Sequence, residues 1–558
     1  MRSLQATVWA ATIVAGMAFG AAAQTNWIPA SPGAVAKWQD ARFGMFIHWG
    51  PVSLTGHEIG WSRGKETPAG TYDKLVMSFN PTNFDADAWV STAKAAGMKY
   101  VVLTTKHHDG FCLWPSDLTD YDIAAGPFRR DIVGELAAAC RRQGLLFGTY
   151  YSVCDWWHRD FPKGSPGGKT EKPGAVLDRY VEYYRGQVRE LVTRYGPLVS
   201  MWFDVPQVVG PTQGLPTVKM LRELQPDIII NNRAFSGAPG DHITPEQRVG
   251  GFDMERPWET CMTICRQWSW KPDDKMKSRE ECIQTLVRTV GGNGNLLFNV
   301  GPMPDGRIEP RQVDRLKEMG DWVARHAEAV YETRGGPYKP GAWGASTRRG
   351  SSVYLHVMKW DGDAAVLPRL PAKVKSAALL TAKGAADVAQ SDTGLVVRVD
   401  AALRDAAATV VKLEIEGDSM ALEPIATASG GTSLTTGAKA TASNVFQKSS
   451  RYAAAMAVDG DPGTRWATDA GTKQAWLEVD LRYETEVSKA VVQEWEGDRG
   501  RIRKLEIRVK DGEAWKTVAS ADTAAKPLTF PPVKARHIRL EILDAKDGPT
   551  VEEFHLMK

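Results

Sequence analysis

Val101-Val-Leu-Thr-Thr-Lys-His-His-Asp-Gly-Phe111 is a short run of apolar and β-branched residues that ends abruptly in ionisable ones. A buried parallel strand reads this way when its C-terminal end opens onto a site. The same form recurs in Phe43-Gly-Met-Phe-Ile-His-Trp-Gly50, Val199-Ser-Met-Trp-Phe-Asp204 and Ile228-Ile-Ile-Asn-Asn-Arg233. Working outward, strand candidates at 43–48, 100–105, 145–151, 198–203, 228–231 and 295–300 alternate with helical periods at 85–96, 130–143, 176–195, 217–224, 279–290 and 310–331. Such alternation predicts an α/β fold with a parallel sheet, and its length favours a (β/α)8-like (TIM) barrel over an open doubly wound sheet. No Gly-rich dinucleotide fingerprint follows the first strand.

The chain has 558 residues, too many for one core. Residues 24–335 are read as the barrel. After Gly335-Gly-Pro337 the helical period stops, and short β-prone segments predict a small β-sandwich over 336–420. Residues 421–440, rich in Ser, Thr, Gly and Ala, read as a linker; an all-β domain follows over 441–558. At the N-terminus, Arg2, an apolar stretch over 4–19 and Ala21-Ala-Ala23 predict a secretory signal over 1–23 and an exported, periplasmic or extracellular protein. No other apolar run is long enough to span a membrane, so no span is expected in the mature chain. A net charge of +3 gives no reason to expect nucleic acid as a partner. The six cysteines are too few for a disulfide framework and lack zinc-ligand spacing, so they are expected to be mainly buried thiols.

Four strand ends deliver His48 and Trp49, Lys106 to Asp109, Asp204, and Arg233 to the face where barrels carry their sites. His107 and His108 are adjacent and, on a strand, would point to opposite sides, so a shared metal is not expected. Trp49, Trp61, Trp156, Trp157, Trp202, Trp258, Trp268 and Trp270 crowd the same domain. Rings that cover C–H faces, beside charged groups that orient hydroxyls, suit a sugar.

The segment 42–50, His107-His-Asp-Gly-Phe111, Trp202-Phe-Asp204, Pro257-Trp-Glu-Thr260 and Asn299-Val-Gly-Pro-Met-Pro-Asp-Gly306 together resemble the α-L-fucosidases of glycoside hydrolase family 29. The resemblance implies a retaining exo-α-L-fucosidase acting on fucosylated oligosaccharides or glycoconjugates, with no cofactor for catalysis. By motif, Asp204 corresponds to the nucleophile. Glu246 is the acid/base candidate that fits best in context, with Glu259, Asp253 and Glu255 as competitors. His48, His107, His108, Trp202 and Arg233 resemble fucose-pocket residues, and Trp270 is expected against the sugar methyl. Two departures stand out: Val205-Pro206 follows Asp204 in place of a small residue, and Glu58-Ile-Gly-Trp61 replaces a Glu-Trp pair, which leaves Glu58 and Trp61 as the corresponding binding candidates.

The last domain resembles discoidin-like (factor V/VIII C-type) sandwiches that serve as carbohydrate-binding modules, through Ala457-Val-Asp-Gly-Asp-Pro-Gly-Thr-Arg-Trp466, Trp476-Leu-Glu-Val-Asp-Leu481 and Ile538-Arg-Leu-Glu541. That resemblance implies a structural calcium, with Asp461, Thr464 and Glu553 as candidate ligands, set against simple turn chemistry. The competing functional reading is a fucose- or galactose-binding surface protein whose barrel has lost catalysis.

Overall fold

The computed structural model describes residues 26–166, 171–381, 386–392, 394–427, 433–435, 438–460 and 463–557. The signal segment, parts of the 421–440 linker and Asp461 lie outside them. The chain divides into two compact units.

The first unit is built on a parallel sheet. Helix α1 (Pro32–Ala41) leads into β1 (Phe43–Ile47); α2 (Ala86–Ala95), β2 (Tyr100–Lys106), α3 (Ile132–Gln143), β3 (Leu146–Ser152), α4 (Leu177–Arg194), β4 (Ser200–Asp204), α5 (Pro211–Leu224) and β5 (Ile229–Ile230) follow. Then come β6 (Glu259–Thr263), α6 (Arg279–Gly291), β7 (Asn295–Val300) and α7 (Pro310–Val330). The strand order is β5-β4-β3-β2-β1-β7-β6. Between β5 and β6 the eighth position is filled without a regular strand. His242 bridges Asn231 on one side, and Ile243 and Glu246 bridge Trp258 and Cys261 on the other. Backbone bonds from Asn232 N to His242 O and from Cys261 N to Pro245 O complete that seam.

The strands are buried along nearly their whole length because helices cover the outside and side chains fill the inside. Phe46, Tyr100, Val102, Tyr150, Trp202, Cys261 and Leu297 pack together as the interior of the curled sheet. Helix starts are fixed locally: Asp85 and Asp131 accept from Ala88 N (3.0 Å) and Gly134 N (2.9 Å) as N-caps. Gly144, left-handed, ends α3. Helix α5 begins at Pro211, ahead of the expected 217, because Pro216 near its start removes only one helical hydrogen bond. Two expectations miss. Helix α1 and strand β6 were not anticipated, and β6 reads Glu-Thr-Cys-Met-Thr, with no apolar run to announce it.

In the second unit, a five-stranded sheet ordered β12-β15-β10-β9-β8 and a three-stranded sheet β11-β14-β13 enclose a core that includes Val353, Leu355, Leu367, Leu395, Val397 and Leu413. Here β8 is Arg334–Gly335, β9 Gly344–Arg349, β10 Ser352–Val357, β11 Ala364–Leu367, β12 Val374–Leu379, β13 Asp387–Gln390, β14 Leu395–Arg398 and β15 Thr409–Ile415. The C-terminal sheet runs β17-β22-β18-β21-β19-β20, with β16 on β18. Its strands are β16 (Lys439–Ala442), β17 (Trp466–Ala467), β18 (Ala475–Glu494), β19 (Ile502–Asp511), β20 (Ala514–Ala521), β21 (Leu528–Ala545) and β22 (Thr550–Met557). Register shifts in β18 after Asp480 and Val487 let one long strand serve both layers around Trp466, Leu477, Ile507, Leu540 and Phe554. All six cysteines are free and buried, and no described helix is long and apolar enough to cross a membrane.

Candidate active site

A cavity of about 400 Å³ opens at the C-terminal ends of β1 to β4. His48, His107, His108, Trp202, Asp204, Arg233 and Glu246 line it, along with Trp61, Tyr150, Trp268 and the lip Val205-Pro206-Gln207. The four convergent strand ends therefore meet in space.

Asp204 closes β4 and is the best-held group. Arg233 Nη1 donates to its Oδ1 (2.7 Å) and Tyr150 Oη to its Oδ2 (2.9 Å), while His108 Nε2 stands 3.7 Å from Oδ2. Burial by itself would raise this carboxyl's pKa. The Arg233 charge and the hydrogen bonds from Arg233 and Tyr150 together outweigh it, and Asp204 ends below the usual carboxylate range. Arg233 is in turn fixed by Thr244, whose Oγ1 accepts from Nε (2.9 Å) and whose carbonyl accepts from Nη2 (3.1 Å). The same Nη2 reaches Glu246 Oε2 (3.0 Å), so one guanidinium spans both carboxylates. The Arg233 guanidinium also lies 5.0 Å from the Trp202 ring.

The histidines are buried and neutral at physiological pH. Burial lowers His48 to about 3 and His108 to about 4, and depresses His107 strongly. Their placement corrects one expectation. Strand β2 ends at Lys106, so His107 and His108 lie beyond the ladder and both rings enter the cavity, 3.9 Å apart. Among the described residues no group of three His, Cys, Asp or Glu is arranged to hold a metal. Lys106 is fully buried in an ion pair with Asp155 (2.9 Å), whose Oδ1 also accepts from the amides of Trp157 and His158. Asp109, raised to about 6 by burial, accepts from Tyr72 Oη (2.6 Å). Gly110 (φ +86) leaves no room for a Cβ, which would fall 2.4 Å from Asp155 Oδ1. Within the His-His-Asp-Gly motif the histidines face the cavity, and the flanking residues hold the turn that presents them.

Other expected residues lie elsewhere. Glu58 is turned away from the cavity and accepts from the amides of Ile59, Trp268 and Ser269, which ties two loops together. Burial raises its pKa. Trp270 does not line the cavity; the ring that does is Trp268, 4.7 Å from His48. Glu259 starts β6, deep beneath the rim, accepts from Tyr100 Oη (2.7 Å), and is raised to about 7 by burial. It, Asp253 and Glu255 are all absent from the cavity wall. Trp61, 37% exposed, lines the mouth edge-on to His108. Gly60 beside it (φ +65) lies so close to His107 that a Cβ would meet Nδ1 at 2.8 Å. Val205 takes φ +48, uncommon for a β-branched residue, directly after Asp204. Sequence reading passed over Tyr150, and it counted Trp268 among the candidate rings but chose Trp270 for the sugar methyl. The inward alternation along β3 could have drawn Tyr150 out, since it pairs in register with Trp202.

Comparison with known proteins agrees with this geometry. The alpha-L-fucosidase family model matches residues 17–328, and the F5/8 type C domain model matches residues 439–554. The human plasma alpha-L-fucosidase is 32% identical over 362 residues, covering 58% of this chain and 76% of its own length. The solved alpha-L-fucosidase isoenzyme 1 from Paenibacillus thiaminolyticus superposes with a TM-score of 0.64 at 35% identity, over 69% of this chain and 99% of its own. The Bacteroides thetaiotaomicron GH29 alpha-L-fucosidase solved as a trapped covalent intermediate gives 0.63 at 29% identity, over 70% and 98%. With the family model matching more than half of its length, the chain belongs to the alpha-L-fucosidase family of glycoside hydrolases and carries an F5/8 type C domain at its C-terminus.

Proposed function

We propose that this protein is an exported, retaining exo-α-L-fucosidase that works by double displacement on terminal α-L-fucosyl groups of glycans. The observation that carries the reading is the Arg233 guanidinium bonded to both Asp204 and Glu246 at the mouth of a cavity lined by neutral imidazoles and rings. Asp204, held ionised, attacks the anomeric carbon and forms a glycosyl ester. Glu246 protonates the departing oxygen, then takes a proton from the water that cleaves the ester. Sharing one guanidinium keeps the two carboxyls close, as double displacement needs, and Glu246's bond to Arg233 must give way when it turns to the leaving oxygen. A related GH29 enzyme solved as a trapped covalent intermediate supports the covalent route. The basic and apolar N-terminus with its small-residue site supports export. Asp204→Ala should lose several orders of magnitude in aryl α-L-fucoside turnover, azide should partly restore it as a β-fucosyl azide, and the first-formed sugar in proton NMR should be α-fucose. Near-normal turnover of the variant, or β-fucose released first, rejects the assignment.

In the C-terminal domain we propose a structural calcium against Asp459 and Glu553, with Thr464 beside them; the further expected ligand, Asp461, lies outside the described residues. The donor set fits. Glu553 is buried, its two oxygens have no hydrogen-bond partner of ordinary geometry, and burial followed by the facing Asp459 pushes it up to about 9. Thr464 Oγ1 lies 2.9 Å from both Asp459 oxygens. A buried Glu553 facing a second carboxyl is what a hard cation would neutralise. The domain's role is then proximity, raising the local concentration of a glycan displayed on a polymer or cell surface.

A further inference from the structure

Two of the three histidines lining the cavity, His48 and His108, are tied through Nδ1 to a partner whose own hydrogen-bond direction is already fixed, whereas His107 Nδ1 is buried without a hydrogen-bond partner. Asn299, from the Asn-Val-Gly-Pro segment at the end of β7, donates through Nδ2 to the Trp268 carbonyl (2.7 Å), so its Oδ1 faces His48 Nδ1 at 2.6 Å. An amide oxygen only accepts, so His48 carries its proton on Nδ1. Ser152, the last residue of β3, gives its single hydroxyl proton to the Cys154 carbonyl (2.6 Å), so at 2.7 Å from His108 Nδ1 it too can only accept. Both rings are buried and neutral, and each therefore has a bare lone pair at Nε2.

From this geometry we infer that Asn299 and Ser152 are positioning residues that lock His48 and His108 in the Nδ1–H tautomer, so that both present Nε2 to the sugar as hydrogen-bond acceptors. The site then selects for two ring hydroxyls that donate, and discriminates against groups of the same size and polarity that only accept. The 3.7 Å between His108 Nε2 and Asp204 Oδ2 fits this arrangement: two acceptors face each other without a bond, and a hydroxyl proton can enter between them. The inference deepens the fucosidase reading and rests on it for the identity of the sugar.

Nitrogen-15 histidine spectra of the folded enzyme test the relay without reference to any substrate. At pH 7, two imidazoles, identified by loss of their signals in His48→Asn and His108→Asn, should show a protonated Nδ1 and an unprotonated Nε2. Protonation of Nε2 on either ring overturns the inference for that ring. Asn299→Asp adds a functional readout. His48 is faced by Asp204, His107, His108 and the Trp268 ring, and a carboxylate in place of the amide should raise it from about 3 into the range of roughly 4 to 6. The kcat/KM profile should gain an acid limb there, because the protonated ring loses its acceptor. His108, faced by Asp204, Lys106, Arg233 and His107, should keep its wild-type spectrum. A folded Asn299→Asp enzyme with the wild-type acid limb overturns the role of Asn299. If that variant does not fold, Ser152→Ala, which should allow both tautomers of His108, takes its place in the spectra; a single Nδ1–H form persisting there overturns the role of Ser152. In the wild type, replacing each fucose hydroxyl in turn by fluorine should weaken inhibition by the free sugar at least tenfold at two positions. Retained binding at every position overturns the selectivity. Failure of the wild type to hydrolyse an aryl fucoside would reject the functional reading while leaving the tautomers as found.

Discussion

Tyr150→Phe isolates the electrostatics of Asp204, the proposed nucleophile. The phenol ring stacks 5.4 Å from Trp202 and 5.5 Å from His107, contacts that phenylalanine keeps, and the hydroxyl's bond is the 2.9 Å one to Asp204 Oδ2. Burial raises the Tyr150 hydroxyl well above its ordinary range, so it stays protonated and donates. A hydrogen bond to a charged acceptor is worth about 1.5–3 kcal/mol, which at about 1.4 kcal/mol per pKa unit raises Asp204 by roughly one to two units. Arg233 remains, so the carboxylate still forms at neutral pH, and the acid limb of the kcat/KM profile should move upward by that amount. Stability follows the same linkage. Asp204 is depressed in the folded state, so its contribution is complete above the unfolded pKa of about 3.9 and is lost as pH falls through the folded value. The variant should therefore melt lower than wild type at pH 7, with the gap closing in acid. The assays are aryl fucoside hydrolysis and thermal melting from pH 3 to 8. A superimposable acid limb, with a melting gap constant in pH, would refute the placement of this hydroxyl on an ionised Asp204.

Three further outcomes follow from the geometry. Glu246→Ala should spare substrates with good leaving groups and cripple poor ones, whereas Glu259→Gln should show no leaving-group dependence. Because burial raises Glu259 to about 7 when folded, wild-type stability falls as pH climbs from about 4.5 toward 7, and melting of the Gln variant should lose that slope. Glu553, at about 9 when folded, makes the calcium-free C-terminal domain lose stability from about pH 4.5 to 9. Added calcium should restore it with an affinity that rises with pH, and Glu553→Gln should abolish the calcium response in calorimetry. Truncation after Thr427, which keeps the bonds from Trp343 Nε1 to Thr427 and from Thr427 to the Lys339 carbonyl, should leave kcat and KM on an aryl fucoside within about twofold while lowering activity on multivalent glycans. Equal loss on small and large substrates, with an early melt, would instead assign the domain a packing role.

What the sequence discloses here depends on where a residue sits along a strand. His48, Asp204 and Arg233 were legible because each ends or follows a buried run, and the switch from apolar to ionisable at a parallel strand's C-terminus has one architectural meaning. Glu259 defeats that reading. A carboxyl beside Trp258 looks like site chemistry, yet it begins β6 rather than ending it, and beginning a barrel strand sends it to the floor, where Tyr100 holds it. Without recognising β6, no inspection of Pro257-Trp-Glu-Thr260 distinguishes the two ends. Trp268 and Trp270 were confused for a related reason: they lie in an irregular segment where no period assigns a face, and the choice is made by Asn299 and Glu58, distant in sequence, whose bonds to the Trp268 carbonyl and amide fix that loop. Tyr150 was hidden differently. In a strand buried on both sides, inward and outward residues are equally apolar, so a phenol that donates to Asp204 looks like core. A residue presented by a strand end thus carries its address in local sequence, while one presented by a loop is placed by partners outside its own segment, 31 and 210 residues away for Trp268. Glu246, the proposed acid/base, lies on the seam that replaces an eighth strand; it ends no strand, and its position is defined by Arg233 and Cys261 across that seam.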